Sequence, residues 1–151
     1  MKYQTTNEFE HFELNEVHIS DVEVTNGFFH IVLDDVVILP ENSCNRDIRK
    51  MRANGLVLKI DDMKIERLTR EGFKTYDADG RLLNQTEDTR IPEAGYAEIF
   101  AAFTDGSAYS VTKAGNAYTF IVDATDECTY ELVVTGSGDR QEWDRFLSWS
   151  E

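Results

Sequence analysis

The feature that most constrains the fold is the regular interruption of short apolar runs by turn-forming pairs. Asn26-Gly27, Asp34-Asp35, Asn54-Gly55, Asp61-Asp62, Asp79-Gly80, Asp105-Gly106, Gly115-Asn116 and Gly136-Ser137-Gly138 punctuate the chain. The runs between them are rich in Val, Ile, Phe, Tyr and Thr. Such residues suit a pleated, half-buried surface, while Asn, Asp and Gly reach the backbone angles a tight turn needs. The pattern predicts antiparallel strands joined by short turns.

Register tests this reading. With Asn26-Gly27 as a two-residue turn, paired residue numbers sum to 53, setting Val24 opposite Phe29, Val22 opposite Ile31 and Ser20 opposite Leu33. His30 then faces Glu23 on the solvent side. Treating Asp34-Asp35 as the next hairpin sets Leu33 opposite Val36 and Ile31 opposite Ile38, on the same apolar side. A second segment repeats the device, with Asn54-Gly55, then LVLKI, then Asp61-Asp62, then MKIERL. Taken as a turn, Asp61-Asp62 puts Leu56, Leu58 and Ile60 on one face with Met63 and Ile65, a weak internal duplication of a hairpin. Both Asp pairs are therefore read as turns, not as metal or catalytic carboxylates.

PEAGYAEIFAAF, residues 92–103, carries two signals. Tyr96, Ile99, Phe100 and Phe103 recur at helical spacing, but Gly95 weakens a helix and Asp105-Gly106 reads as a hairpin turn; the balance favours a strand. SAYSVT, NAYTFIV and CTYELVVT continue as a meander. DRQEWDRFLSW then reads as an amphipathic helix, with Asp139 as N-cap, Glu142 three residues on, and Trp143, Phe146 and Leu147 on one face. The predicted architecture is mainly β (α+β): about 8–10 short antiparallel strands in a curved sheet, barrel or sandwich, with one C-terminal helix, in a single domain spanning residues 1–151. The ending YTFIVDATDECTYELVVTGSGDRQEWDRFLSW, a strand pair followed by a helix with a central Trp, resembles the close of a pleckstrin-homology-type barrel, a likeness of fold alone.

Few motifs offer chemistry. YDADGRL resembles part of a calcium loop, but Thr86 falls where that loop needs its bidentate Glu. His11, His18 and His30 lack the i, i+4 spacing of a helical zinc pair. There is no P-loop, dinucleotide fingerprint or metalloprotease helix, and Gly136-Ser137-Gly138 lacks the context of a nucleophile elbow. Cys44 and Cys128 lie far apart and read as two reduced thiols. A non-catalytic protein without cofactor or metal is expected.

Charge supplies the functional bias. The chain carries a formal −14, unevenly spread. Residues 43–70 hold eight Lys/Arg and four Asp/Glu, a net +4, and the rest holds seven and 25, a net −18. Such a surface disfavours nucleic acid and anionic lipid and favours a basic protein partner. Glu8, Glu10, Glu13 and Glu16 are the candidate partner-binding acids. Arg46, Arg49, Lys50 and Arg52 form the one basic cluster, a candidate anion-binding or self-association patch that would allow a homo-oligomer; its bland role is to balance nearby acids. Small acidic inhibitors and immunity proteins of nucleic-acid-cleaving enzymes dock on basic partners in this way. The alternative is a small-ligand carrier of barrel or pleckstrin-homology-like form, with some of the 17 aromatic residues lining a cavity. The N-terminus shows no apolar leader, so a cytoplasmic protein is expected.

Overall fold

The computed structural model describes residues 2–25 and 27–148. The strands are β1 (Tyr3–Thr6), β2 (Phe12–Glu13), β3 (Val17–Thr25), β4 (Phe28–Asp34), β5 (Val36–Ile38), β6 (Met51–Ala53), β7 (Leu56–Asp61) and β8 (Lys64–Arg70). They continue with β9 (Lys74–Tyr76), β10 (Leu82–Gln85), β11 (Thr89–Arg90), then the helix α1 (Tyr96–Phe103). The chain finishes with β12 (Ser107–Ala114), β13 (Ala117–Asp123), β14 (Thr129–Thr135), β15 (Gly138–Trp143) and β16 (Leu147–Ser148). The chain is thus mainly antiparallel β with one short helix, as its punctuation predicts, although these sixteen short strands exceed the expected number.

Ten strands form one sheet in the order β1-β15-β7-β4-β3-β12-β13-β14-β8-β11. It doubles over at the β3–β12 junction, where Ser107 pairs His18 and Ala108 pairs Val17. The Phe29 ring of β4 and the Phe120 ring of β13 then meet 5.4 Å apart in the core between the two layers. A smaller sheet has the order β16-β6-β5-β2.

The β3–β4 hairpin keeps the expected register at its tip, with Val24 opposite Phe29, Val22 opposite Ile31 and Glu23 opposite His30. Asn26 itself lies outside the described residues. Toward the far end Ser20 is skipped by a bulge, so Ile19 rather than Ser20 meets Leu33. The slip places a fully buried Ile at the core position the simple register gave to Ser. The meander is as predicted, with Ala114 paired to Ala117 across Gly115-Asn116 and Gly115 at φ +62°.

Asp34-Asp35 is a bend but not a hairpin. β4 pairs with β7 and β5 pairs with β6, both in the register whose numbers sum to 89 (Leu33 with Leu56, Val36 with Ala53). Asp34-Asp35 therefore faces Asn54-Gly55, and both strands of one long pair bend together from the large sheet into the small one. Asp35 at φ +66° and Gly55 at φ +69° supply the bend. The Gly55 amide donates to Asp34 Oδ1, and the Asp35 amide donates to Asn54 Oδ1, each at 2.8 Å. Side chains thus replace the ladder bonds that the bend removes.

Asp61-Asp62 is a second corner and again no hairpin, since β7 and β8 do not pair. Gly138 pairs with Asp61 and Thr135 with Lys64, one register on either side of the bend. The Ser137 amide donates to the Asp61 carbonyl at 2.9 Å, and the Ser137 hydroxyl to Asp62 Oδ2 at 2.6 Å. The face expected from the sequence survives: Leu56, Leu58, Ile60 and Met63 are buried, with Ile65 packed beside them.

Two elements exchange roles. Residues 96–103, expected as a strand, form α1, whose Ile99, Phe100 and Phe103 bury their side chains at helical spacing. Gly95 does not disrupt it because it stands at the N-cap, outside the helix. Asp105-Gly106 then leads out of this helix rather than turning a hairpin. The segment expected as helix instead holds β15, a short bend at residues 144–146 and β16, and Trp149 lies outside the described residues. In β15 the inward residues are Asp139, Gln141 and Trp143, at period two. Two of the three are polar, so their inward alternation is invisible to hydrophobic periodicity. The likeness to a pleckstrin-homology-type ending rested on that helix and loses its basis.

Asp139 is fully buried. Tyr118 donates its hydroxyl to Asp139 Oδ2 at 2.7 Å, Lys113 Nζ lies 3.4 Å from the same oxygen, and Gln141 Nε2 donates to Oδ1. Thr5 closes the chain of bonds by donating to Gln141 Oε1 at 2.6 Å. Burial first, then the adjacent Asp139 carboxylate, push the Tyr118 hydroxyl far above its ordinary pKa, so it stays a donor. The network joins β1, β12, β13 and β15.

Candidate functional site

The two charge clusters singled out from the sequence meet in the structure. Lys50 Nζ lies 3.0 Å from Glu13 Oε1, Arg49 pairs with Asp47, and Arg52 pairs with Asp35 at the first corner. Glu8 accepts from the Ser43 amide at 2.8 Å and from the Ser43 hydroxyl, and its Oε1 lies 3.0 Å from His11 Nδ1. Burial raises the Glu8 carboxyl, but the bonds from Ser43 and His11 outweigh it and hold the group below the usual carboxylate range. Glu8 and Glu13 thus fasten the loop 39–50 to the N-terminal segment, while Glu10 and Glu16 are exposed. Arg46 is exposed and has no ion-pair partner among the described residues.

A different feature presents itself to solvent. After β8 the chain runs out into β9, turns, and returns through β10 to β11, which pairs back on β8. Arg70 with Thr89 and Lys74 with Gln85 share one register, so β8–β11 and β9–β10 are the base and the distal half of one hairpin. The neck between them repeats the corner device, with the Gly72 amide donating to Asp88 Oδ1 at 2.7 Å. A side chain at Gly72 would overlap the Thr86 carbonyl, so the closeness of the two strands requires glycine here. Phe73 and Thr86 then exchange backbone bonds at 3.1 and 2.7 Å.

The distal half forms its own two-stranded sheet, an arm standing clear of the large sheet. At its tip the Asp77 carboxylate accepts from the Asp79 and Arg81 amides, each at 2.9 Å, and Gly80 sits at φ +82°. The calcium-like YDADGRL is thus a turn that consumes its own acceptor. Phe73, Tyr76, Leu82 and Leu83 are 51–66% exposed along this arm. Tyr76 lies opposite Leu82, so an aromatic and an aliphatic side chain share one open face. Four large apolar groups exposed within one short hairpin are unlike the scattered apolar residues of an ordinary surface. The sequence carried a signal in these residues, but their exposure depends on where the arm stands.

The remaining polar clusters pair within the chain. His18 bridges Asp34 at 3.0 Å and Asp105 at 3.5 Å. Tyr130 donates to Asp126 at 2.6 Å and accepts from Arg70 at 3.2 Å; burial and then the Asp126 bond push its hydroxyl up to about 12. The same Asp126 carboxyl is raised by burial but held low overall by Tyr130 and the Cys128 amide. Among the described residues no group of three or more His, Cys, Asp or Glu is placed to hold a metal ion, and no helix is long and apolar enough to cross a membrane. Comparison with protein-family models, with curated proteins and with solved structures gives no match.

Proposed function

We propose that the chain is a non-catalytic interaction protein that presents the β9–β10 arm to a basic partner protein. The observation that carries this reading is the exposure of Phe73, Tyr76, Leu82 and Leu83 on a hairpin that forms a two-stranded sheet of its own. A two-stranded hairpin alone is marginal in water, and a third strand or a covering surface completes it. Its outer edges carry unpaired backbone groups suited to addition of a strand from a partner. Asp77, Asp79, Glu87 and Asp88 outnumber Lys74 and Arg81 along this stretch, and the formal −14 of the whole chain steers cationic surfaces toward it. A basic target blocked by an acidic inhibitor or immunity-type protein fits this chemistry.

The test is affinity capture from the native host at low ionic strength, with wild type and a Tyr76→Ser/Leu83→Ser variant side by side. The expected result is a basic protein held by wild type, lost from the variant, and released as salt screens the field. Equal retention by both forms, or capture of only acidic or neutral proteins, overturns the reading. Concentration-dependent dimerisation abolished by the same variant would assign the arm to a second copy of the chain instead.

A further inference from the structure

A second site, sharing no residue with the arm, lies where the loop 39–50 meets the N-terminal strand and the segment leading into β16. Tyr3, Cys44, Arg46, Asp47, Met51 and Phe146 line a cleft of about 270 Å³ there. Its walls are aromatic and built. The Tyr3 ring stacks on Trp143 at 5.7 Å and meets Phe146 edge-on at 4.8 Å, and Phe146 in turn packs edge-on against Trp143 at 5.6 Å. The loop is fixed by the amide of Asn45, also at the cleft, whose Nδ2 reaches the carbonyls of Ile38, Leu39 and Arg49, each at 3.2 Å. A loop held this way presents its side chains without the ordering cost of a mobile one.

The electrostatics select the occupant. Arg46 is the member of the basic cluster left without an anion among the described residues, and Lys2 Nζ stands 5.4 Å from the Tyr3 ring centre. The one acid lining the cleft, Asp47, is already engaged by Arg49 at 3.3 Å. Two buried donors in the supporting shell, Trp143 Nε1 and Asn42 Nδ2, have no acceptor among the described residues. We infer that this cleft binds a small organic anion, with a flat apolar body against Tyr3, Met51 and Phe146 and its carboxylate, sulfonate or phosphate group on Arg46. Apolar lining with one charged group that fixes orientation is the usual composition of a small-ligand site. The site is independent of the arm.

Fluorescence titration with anilinonaphthalene sulfonate tests this. The expected result is saturable one-to-one binding to wild type, about tenfold weaker in Arg46→Ala, the size of loss given by one charge-assisted hydrogen bond. Arg46→Lys should recover part of the affinity, and Tyr76→Ser/Leu83→Ser should bind as wild type does. The uncharged analogue phenylnaphthylamine should bind more weakly than the sulfonate and show no dependence on Arg46. Arg46 is exposed, so its loss does not threaten folding. The assignment is overturned by non-saturable binding, by equal affinity in Arg46→Ala, by loss of binding in the arm variant, or by a neutral analogue that binds as tightly.

Discussion

Gly55 and Asp34 face each other across the first corner of the sheet, the Gly55 amide donating to the Asp34 carboxylate at 2.8 Å. Gly72 and Asp88 stand in the same relation at the neck of the arm, at 2.7 Å. In both places a carboxylate receives the amide of a glycine where two paired strands change direction. This recurrent contact gives several of the chain's many acids a structural use before any partner is considered.

Asp34→Ala removes the acceptor of the Gly55 amide and should cost about 1–2 kcal/mol in urea denaturation, the penalty of one unmet donor. Replacing Asp34-Asp35 by Asn-Gly keeps an acceptor oxygen and relieves the positive φ at residue 35, at the loss of the exposed pairs to His18 and Arg52. Those terms oppose one another, so this variant should stay within about 1 kcal/mol of wild type. Equal stability of Asp34→Ala and wild type would show that the carboxylate does not hold the corner.

Acid should weaken the attachment of the loop 39–50. The Glu8 carboxyl is held below its unfolded value, so its contribution is complete above the unfolded pKa of about 4.3 and is lost as pH falls through the lower folded value. The urea midpoint should therefore decline below roughly pH 5, and less steeply in Glu8→Gln than in wild type. An identical acid limb in the two proteins would exclude Glu8 as a source of the decline.

Asp139 should tolerate replacement poorly. Asp139→Leu strands the Lys113 ammonium, the Tyr118 hydroxyl and the Gln141 amide in or beside the core, a loss of about 3–5 kcal/mol. Chemical denaturation measures it, and a loss under 1 kcal/mol would mean that water replaces the carboxylate.

Trp143 is fully buried against Tyr3, Phe12 and Phe146. Trp143→Ala should cost about 3–5 kcal/mol, and a melting temperature equal to wild type would contradict its place in the core.

Removing the arm should leave the body intact. Replacing residues 73–86 by Asn-Gly joins Gly72 to Glu87 across an existing pair of facing strands. Because the deleted side chains are largely exposed, the loss should stay under about 1 kcal/mol, a shift of roughly 2–4 °C in melting temperature. Collapse of the fold on this deletion would make the arm structural and remove the basis for its proposed role.

Residues close in sequence settled much of the fold by themselves. The register of Val22 and Val24 on Ile31 and Phe29, and the hairpin at Gly115-Asn116, follow from turn chemistry and period-two burial within a few residues. The sequence placed turns at Asp34-Asp35 and Asp61-Asp62, where the chain does change direction because Asp accepts the required backbone angles, but it read them as hairpins, which they are not. Which strand each bend faces was decided only by tertiary structure: Asp34-Asp35 is answered by Asn54-Gly55, and Asp61-Asp62 by Gly136-Ser137, contacts that no local propensity encodes. The same limit hid the strand at 138–143, whose inward Asp139 and Gln141 become admissible in a core only when Tyr118, Lys113 and Thr5 arrive from other strands to satisfy them. It also hid the arm, since Phe73, Tyr76, Leu82 and Leu83 read like any buried run until the packed sheet leaves them outside. Local patterns fix backbone angles and alternation; burial and partnership are properties of the whole packed chain.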